Sequence, residues 1–206
     1  MPIVTSLKPQ KNNKRVNVYV DNKFGFGIDL ENLVKFGIKT NQEFTSEQLN
    51  KIIKEAEFQK TYDKLLRFVT PRPRSEKEVD MWFNRKKIAE SLFAGLKAKL
   101  SKLGLLDDKA FARWWIEQRL SYRPRGKRAL TSELMQKGIE RKLIDKLLLD
   151  TKVDEMKIAQ KLLERKSRSW ERYDSDQKKQ KQMEFLARRG FGWELIKKLT
   201  GRGWEE

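Results

Sequence analysis

The chain contains no histidine and no cysteine. That removes the common nucleophile–base pairs, which need an imidazole or a thiol, and with them disulfides, zinc–thiolate sites and most transition-metal sites. What remains with the spacing to do chemistry is cationic. Arg72-Pro73-Arg74 and Arg123-Pro124-Arg125 are two copies of one tripeptide, 51 residues apart. Proline fixes its own φ and disfavours helix in the residue before it, so each copy displays two guanidinium groups on a rigid corner ahead of a helix. Guanidinium forks and the free amides of a helix start can together hold phosphate or carboxylate. The same arginines can instead pair with Glu and Asp of a neighbouring unit.

One acidic pair, Asp107-Asp108, invites a magnesium reading, since paired carboxylates can hold the metal for phosphoryl chemistry. Adjacent acids just before Phe111 also suit a helix N-terminus, where a carboxylate accepts from free backbone amides. Asp154 holds a related place further on, as a cap would and a unique active site would not. No catalytic residue, cofactor or metal is assigned, and an enzyme is not expected.

Further cations and one aromatic residue complete the candidate set for partner or DNA contact. Lys127 and Arg128 follow the second joint. Lys86, Lys137 and Arg189 share an equivalent place at a helix end, where a cation complements the helix dipole whatever the function. Arg85 and Arg188 stand one residue earlier, opposite Gln136, with less structural reason to be basic. Trp114 and Trp115 are about 100° apart on a helix and cannot share one core face. The stripe Phe111, Ala112, Trp115, Ile116 and Leu120 claims Trp115. Trp114 is then expected to point outward beside Arg113, as an interface anchor or a stacking platform, or else to pack on the next repeat.

The elements that must position these residues recur. Shifting the chain by 51 sets Val79, Phe83, Ile88, Leu92, Phe93 and Leu96 beneath Leu130, Leu134, Ile139, Leu143, Ile144 and Leu147. A shift of 52 sets Leu186, Gly190, Phe191, Leu195, Ile196 and Leu199 beneath Leu134, Gly138, Ile139, Leu143, Ile144 and Leu147. Matched apolar positions at a fixed period are the mark of stacked units that cannot bury their apolar faces alone. Helices are expected over 76–86, 89–103, 108–121, 127–137, 140–149, 153–167, 177–189 and 192–199, with a polar segment at 167–176. Ser75 and Glu78 form a candidate capping box, as do Thr45 and Gln48, which open a long helix.

Ahead of that helix, residues 15–28 alternate with period two. Val16, Val18 and Val20 share one face, and Phe24, Phe26 and Ile28 share one after a turn near Asp21-Asn22. Ile3–Leu7 adds a third strand, Gly25 and Gly27 mark a bulge or close packing, and Asp29 caps a short helix that Gly37 ends. Lys8, Lys11, Lys14 and Arg15 either touch nucleic acid or are simply solvated.

RPRSEKEV at 72–79, LGLLDD at 103–108 with Phe111-Ala112, and ELMQKGI at 133–139 with LIDKLL together resemble the RecX recombination regulators. The resemblance covers nearly the whole chain and includes an N-terminal β extension found in longer members. It implies a partner, the RecA recombinase filament on single-stranded DNA, whose ATPase and strand-exchange activities such proteins restrain in DNA repair and the SOS response.

The expected fold is mainly α: tandem three-helix repeats in an elongated curved array, with a small N-terminal β-hairpin subdomain. The expected division is 1–44 for that subdomain, 45–70 for a connecting helix, 71–122 and 123–168 for two repeats, and 169–206 for a third, truncated one. The formal net charge is +18, and residues 1–70 hold 12 Lys and Arg against 8 Asp and Glu, so the remaining 136 residues carry +14. Such an excess points to an anionic partner. Single-stranded DNA, and secondarily double-stranded DNA, fits; so does an acidic protein surface. A general nucleic-acid-binding repeat protein without a recombinase partner is the competing reading. No apolar run approaches the roughly 20 residues that span a bilayer, and the N-terminus lacks the apolar core of a signal peptide. A cytoplasmic monomer without membrane contact is expected.

Overall fold

The structure is a computed structural model, and it describes residues 1–11 and 13–201. Three strands come first, then helices in steady succession. The chain divides into two compact units, one of Met1–Arg72 with Phe83–Leu105, the other of Pro73–Trp82 with Leu106–Glu206.

In the first unit β1 (Val4–Pro9), β2 (Arg15–Val20) and β3 (Lys23–Asp29) form an antiparallel sheet in the order β1-β2-β3. Asp21 and Asn22 both take positive φ, the conformation of a tight hairpin turn. Val16 pairs with Ile28 and Val18 with Phe26, but Tyr19 then pairs with Phe24, so Gly25 is the extra residue of a β-bulge. That bulge overturns part of the period-two expectation. Phe26 and Ile28 are buried while Phe24 is largely exposed and meets Tyr19 edge-on.

Asp29 caps α1 (Leu30–Lys35) by accepting from the Asn32 backbone N–H at 2.9 Å, and Gly37 follows with a left-handed φ. Thr45 and Gln48 make the reciprocal capping box that opens α2 (Ser46–Val69). The sheet and α2 share a core of Val4, Val16, Val18, Phe26, Ile28, Ile52 and Ala56. Arg15 is structural here: it donates to the Gly27 carbonyl at 2.6 Å and to the Ala56 carbonyl at 3.4 Å.

The remaining helices are α3 (Glu76–Lys86), α4 (Phe93–Lys102), α5 (Asp108–Tyr122), α6 (Lys127–Gln136), α7 (Arg141–Asp150), α8 (Glu155–Lys166), α9 (Ser175–Arg188) and α10 (Trp193–Thr200). One 3₁₀ turn precedes α4, where sequence suggested a single helix from 89, and another lies at Ser167–Trp170. Of the positions that the repeat alignment equates, Phe83, Leu134 and Leu186 are buried in all three copies, and Leu96 and Leu147 are buried while their equivalent Leu199 is half-buried.

In the second unit α5, α6 and α7 enclose Phe111, Ala112, Ile116, Leu130, Leu134, Ile144 and Leu147. A further core gathers Ala159, Leu162, Trp170, Phe185, Leu186, Phe191 and Ile196 from α8, α9, α10 and the turn between α8 and α9. Helix ends repeat as well. Gly138 and Gly190 take φ of +89° and +77°, and Ile139 N–H and Phe191 N–H reach back to the carbonyls of Leu134 and Leu186. Lys87 takes the same left-handed place after α3, with φ +52°.

Both glycines have a second duty. A Cβ on Gly138 would lie 2.8 Å from the Cβ of Lys77 in α3, and one on Gly190 would lie 2.4 Å from the Cβ of Ala129 in α6. The end of one unit's helix therefore rests against the start of the preceding unit's helix, and only a residue without a side chain fits there.

Candidate anion-binding interface

The acidic pair resolves into two caps on two helices. Asp107 accepts from the backbone N–H groups of Lys109 and Ala110 at 2.8 and 3.0 Å, at the start of its own helix. Asp108 accepts from the Glu76 N–H at 2.7 Å, at the start of α3. The relation recurs one repeat later, where Glu155, the first residue of α8, accepts from the Lys127 N–H of α6 at 2.8 Å. Asp154 caps α8 by accepting from Lys157 N–H at 3.0 Å. No group of three or more acidic side chains stands together to hold a metal among the described residues.

The joint before α6 is built differently from a solvated corner. Arg123 ends α5 with a non-helical backbone, φ −140° and ψ 72°, Pro124 follows, and the Gly126 N–H donates to the Arg189 carbonyl at 2.9 Å. A Cβ on Gly126 would sit 2.3 Å from the Gly190 carbonyl oxygen, so the two chain segments cross at backbone contact. The crossing brings the second Arg-Pro-Arg joint against the end of α9. Arg125 donates from a terminal guanidinium nitrogen to the Arg188 carbonyl at 3.4 Å, and its Nε lies 3.7 Å from Glu133.

A cleft of about 390 Å³ opens at this crossing, lined by Arg123, Arg125, Arg165, Lys166, Arg189 and the aromatic rings of Tyr122 and Phe185. Five lining residues are cationic and none is acidic. Arg189 lies over the Phe185 ring at 4.1 Å, and its Nε is buried with no hydrogen-bond partner among the described residues. Burial, and then the like charges of Arg125 and Arg188, hold its guanidinium below the ordinary arginine value. Cations gathered at this density repel one another, and a bound anion relieves the repulsion.

Of the residues singled out in sequence, Arg123, Arg125 and Arg189 meet in this cleft, and Arg188 flanks it, paired within α9 to Glu184 at 3.8 Å. Lys127 and Arg128 line a separate groove of about 810 Å³ between α6 and α7, together with Met135, Leu148 and Leu149. Arg113 is exposed on α5. Arg74 is half-buried in the same unit, whereas Arg72 and Arg85 belong to the other compact unit. Trp114 does not point outward. It is half-buried and packs against the Phe111 core, 6.0 Å from the Phe111 ring and 6.1 Å from that of Trp115.

Lys137 is the equivalent of Arg189 in the preceding repeat, and there the cation is a structural partner. It pairs with Glu78 at 2.6 Å and lies 5.2 Å from the centre of the Trp115 ring. Trp115 in turn donates to Glu133 at 2.9 Å, and Arg119 shares that carboxylate at 2.7 Å. Sequence reasoning missed Arg165, Lys166, Tyr122 and Phe185. The available signal was the run Glu164-Arg165-Lys166 in the last turn of α8, outside the buried Ala159–Leu162 stripe.

Comparison with known proteins bears on this architecture. The model described as the regulatory protein RecX N-terminal domain matches residues 2–45. Those described as the second and third three-helix domains of RecX match 107–148 and 154–199. These last bounds take in α5–α7 and α8–α10, a phase one helix removed from cuts made at the proline joints. The regulatory protein RecX of Clostridium perfringens strain 13 is 35% identical over 217 residues, covering 98% of this chain and 99% of its own. That of Bacillus licheniformis is 31% identical over 198 residues, covering 95% of this chain and 75% of its own. A crystal structure of regulatory protein RecX superposes with a TM-score of 0.72 at 22% identity, covering 98% of this chain and all of the other. The structure of RecX from Lactobacillus salivarius gives 0.62 at 21%, covering 70% of this chain and 95% of the other. A fold of three-helix units, an N-terminal sheet and end-to-end relatives of one kind lead to one assignment: the chain belongs to the RecX family of regulatory proteins.

Proposed function

We propose that this protein binds the RecA recombinase filament on single-stranded DNA and restrains its ATPase and strand-exchange activities. The family membership supports a regulatory, non-enzymatic role, and the observation that carries the filament reading is the five-cation cleft at the α6–α9 crossing. A nucleoprotein filament offers DNA phosphate and acidic protein surface in a regular array. Several weak contacts made at once by one chain add, so it can engage such an array firmly while each contact stays modest. Binding that neutralises phosphates weakens steeply with salt, and inhibition should follow the same dependence.

No helix among the described residues is long and apolar enough to cross a membrane. Titration of this protein into RecA hydrolysing ATP on single-stranded DNA tests the reading. Hydrolysis falling with added protein, and less so at higher salt, is the expected result. Hydrolysis unchanged at saturating protein, with DNA still bound, would favour a general nucleic-acid binder.

A further inference from the structure

We propose that the cleft at the α6–α9 crossing binds the phosphodiester backbone of single-stranded nucleic acid, with Tyr122 at its mouth stacking on a base. The proposal rests on the reading that nucleic acid is part of the partner, and it names which side of that partner this cleft takes.

Five cationic side chains converge from three parts of the chain: Arg123 and Arg125 from the joint, Arg165 and Lys166 from the end of α8, and Arg189 from the end of α9. Among the described residues only Arg125 of this set has a carboxylate at ion-pair distance, and that contact is long, at 3.7 Å. Arg165, Lys166 and Arg123 are exposed, so their heads move freely to meet a ligand, while Arg189 is fixed over Phe185. An acidic peptide places carboxylates on flexible stems and gives little reason for an aromatic ring at the rim. A nucleic acid strand brings a charge at every nucleotide and a flat base beside it. Guanidinium forks match phosphate oxygens in pairs, and exposed aromatic rings stack on bases without regard to sequence. Tyr122 is 78% exposed and immediately precedes Arg123, the arrangement that reading requires. A duplex keeps its bases inside its stack, so the ring contributes on single strands alone.

The test uses the full chain without RecA and a fluorescein-labelled thymidine oligonucleotide, followed by anisotropy over a range of salt. Arg165→Ala/Lys166→Ala should bind about tenfold more weakly, with a log–log salt slope shallower by about 1.4, since each single-strand phosphate contact contributes about 0.7. Lys142→Ala/Lys146→Ala removes equal charge from α7, away from the cleft, and should bind within twofold of wild type. Tyr122→Leu should weaken binding to the single strand several-fold and leave binding to a duplex of the same length unchanged. Equal loss in the cleft and α7 variants would overturn the site, as would polyglutamate displacing the oligonucleotide as well as unlabelled polythymidine does. Unchanged single-strand binding by Tyr122→Leu would overturn the stacking role. A failure of RecA inhibition with these DNA results intact would refute the regulator reading and leave this one standing.

Discussion

The backbone N–H of Gly126 donates to the carbonyl of Arg189 at 2.9 Å, and this bond joins the second Arg-Pro-Arg corner to the end of α9. It is the contact that sets Arg125 and Arg189 on one cleft. A methyl group at residue 126 would lie 2.3 Å from backbone oxygen of Gly190, with no flexible side chain there to give way. Gly126→Ala should therefore destabilise the fold by about 1–3 kcal/mol, the range for overpacking, and also weaken anion binding. Urea unfolding and oligonucleotide anisotropy measure the two effects; an unaltered midpoint would show that the crossing is loose.

Lys87 holds a left-handed φ of +52° where Gly138 and Gly190 stand in later repeats. A left-handed conformation costs a residue with a Cβ about 1–2 kcal/mol. Lys87→Gly should raise stability by about 1 kcal/mol, while Gly138→Ala, with Lys77 against it, should lower it. Thermal unfolding of both variants distinguishes them by sign.

Asp108 and Glu155 each cap a helix that begins about thirty residues earlier, through Glu76 N–H and Lys127 N–H. Replacing either acid by Ala should cost about 1 kcal/mol, as losing an N-cap does. Asp107→Ala should cost a similar amount. Magnesium-dependent cleavage of DNA by the purified protein, abolished by Asp107→Ala, would contradict the capping account.

Lys137 and Glu78 lie 2.6 Å apart with Glu78 nearly enclosed, so the pair is less screened than a surface ion pair. A double-mutant cycle of Glu78→Gln and Lys137→Met should give a coupling of about 1 kcal/mol. Additive effects would reduce the pair to a surface contact.

Asp29 gives the sheet a pH dependence. Burial raises its carboxyl, but the Asn32 side chain and backbone N–H outweigh this and hold it below the ordinary value of 3.8. Because the folded value is depressed, the stabilisation is present above pH 3.8 and is lost as pH falls through the lower folded value. Asn32→Ala should flatten the acid limb of the stability profile measured by urea titration between pH 2 and 6.

Much of the fold was legible because its signals are local. The Thr45–Gln48 box, the Asp107 and Asp154 caps, the turn at Asp21-Asn22 and the glycines after α6 and α9 each act within a few residues. The bulge at Gly25 reversed the side of Phe24 because one extra residue flips a period of two. For Trp114 the helical angle leaves an outward place and packing on a neighbour both open, since it fixes only the main buried face; the side chain packs against the Phe111 core. The cleft was half legible: Arg123 and Arg125 announce themselves by a repeated motif, but Arg165, Lys166 and Arg189 join them only through stacking of units about forty and sixty residues away in sequence.

RecA's hydrolysis of ATP on single-stranded DNA, titrated with the Arg123→Glu/Arg165→Glu variant beside wild type, tests the role of the cleft most directly. Both side chains are exposed, so the variant should keep its circular dichroism spectrum and unfolding midpoint. Inhibition reduced at least tenfold in the folded variant is the predicted result. Inhibition equal to wild type would contradict the claim that this cleft engages the filament.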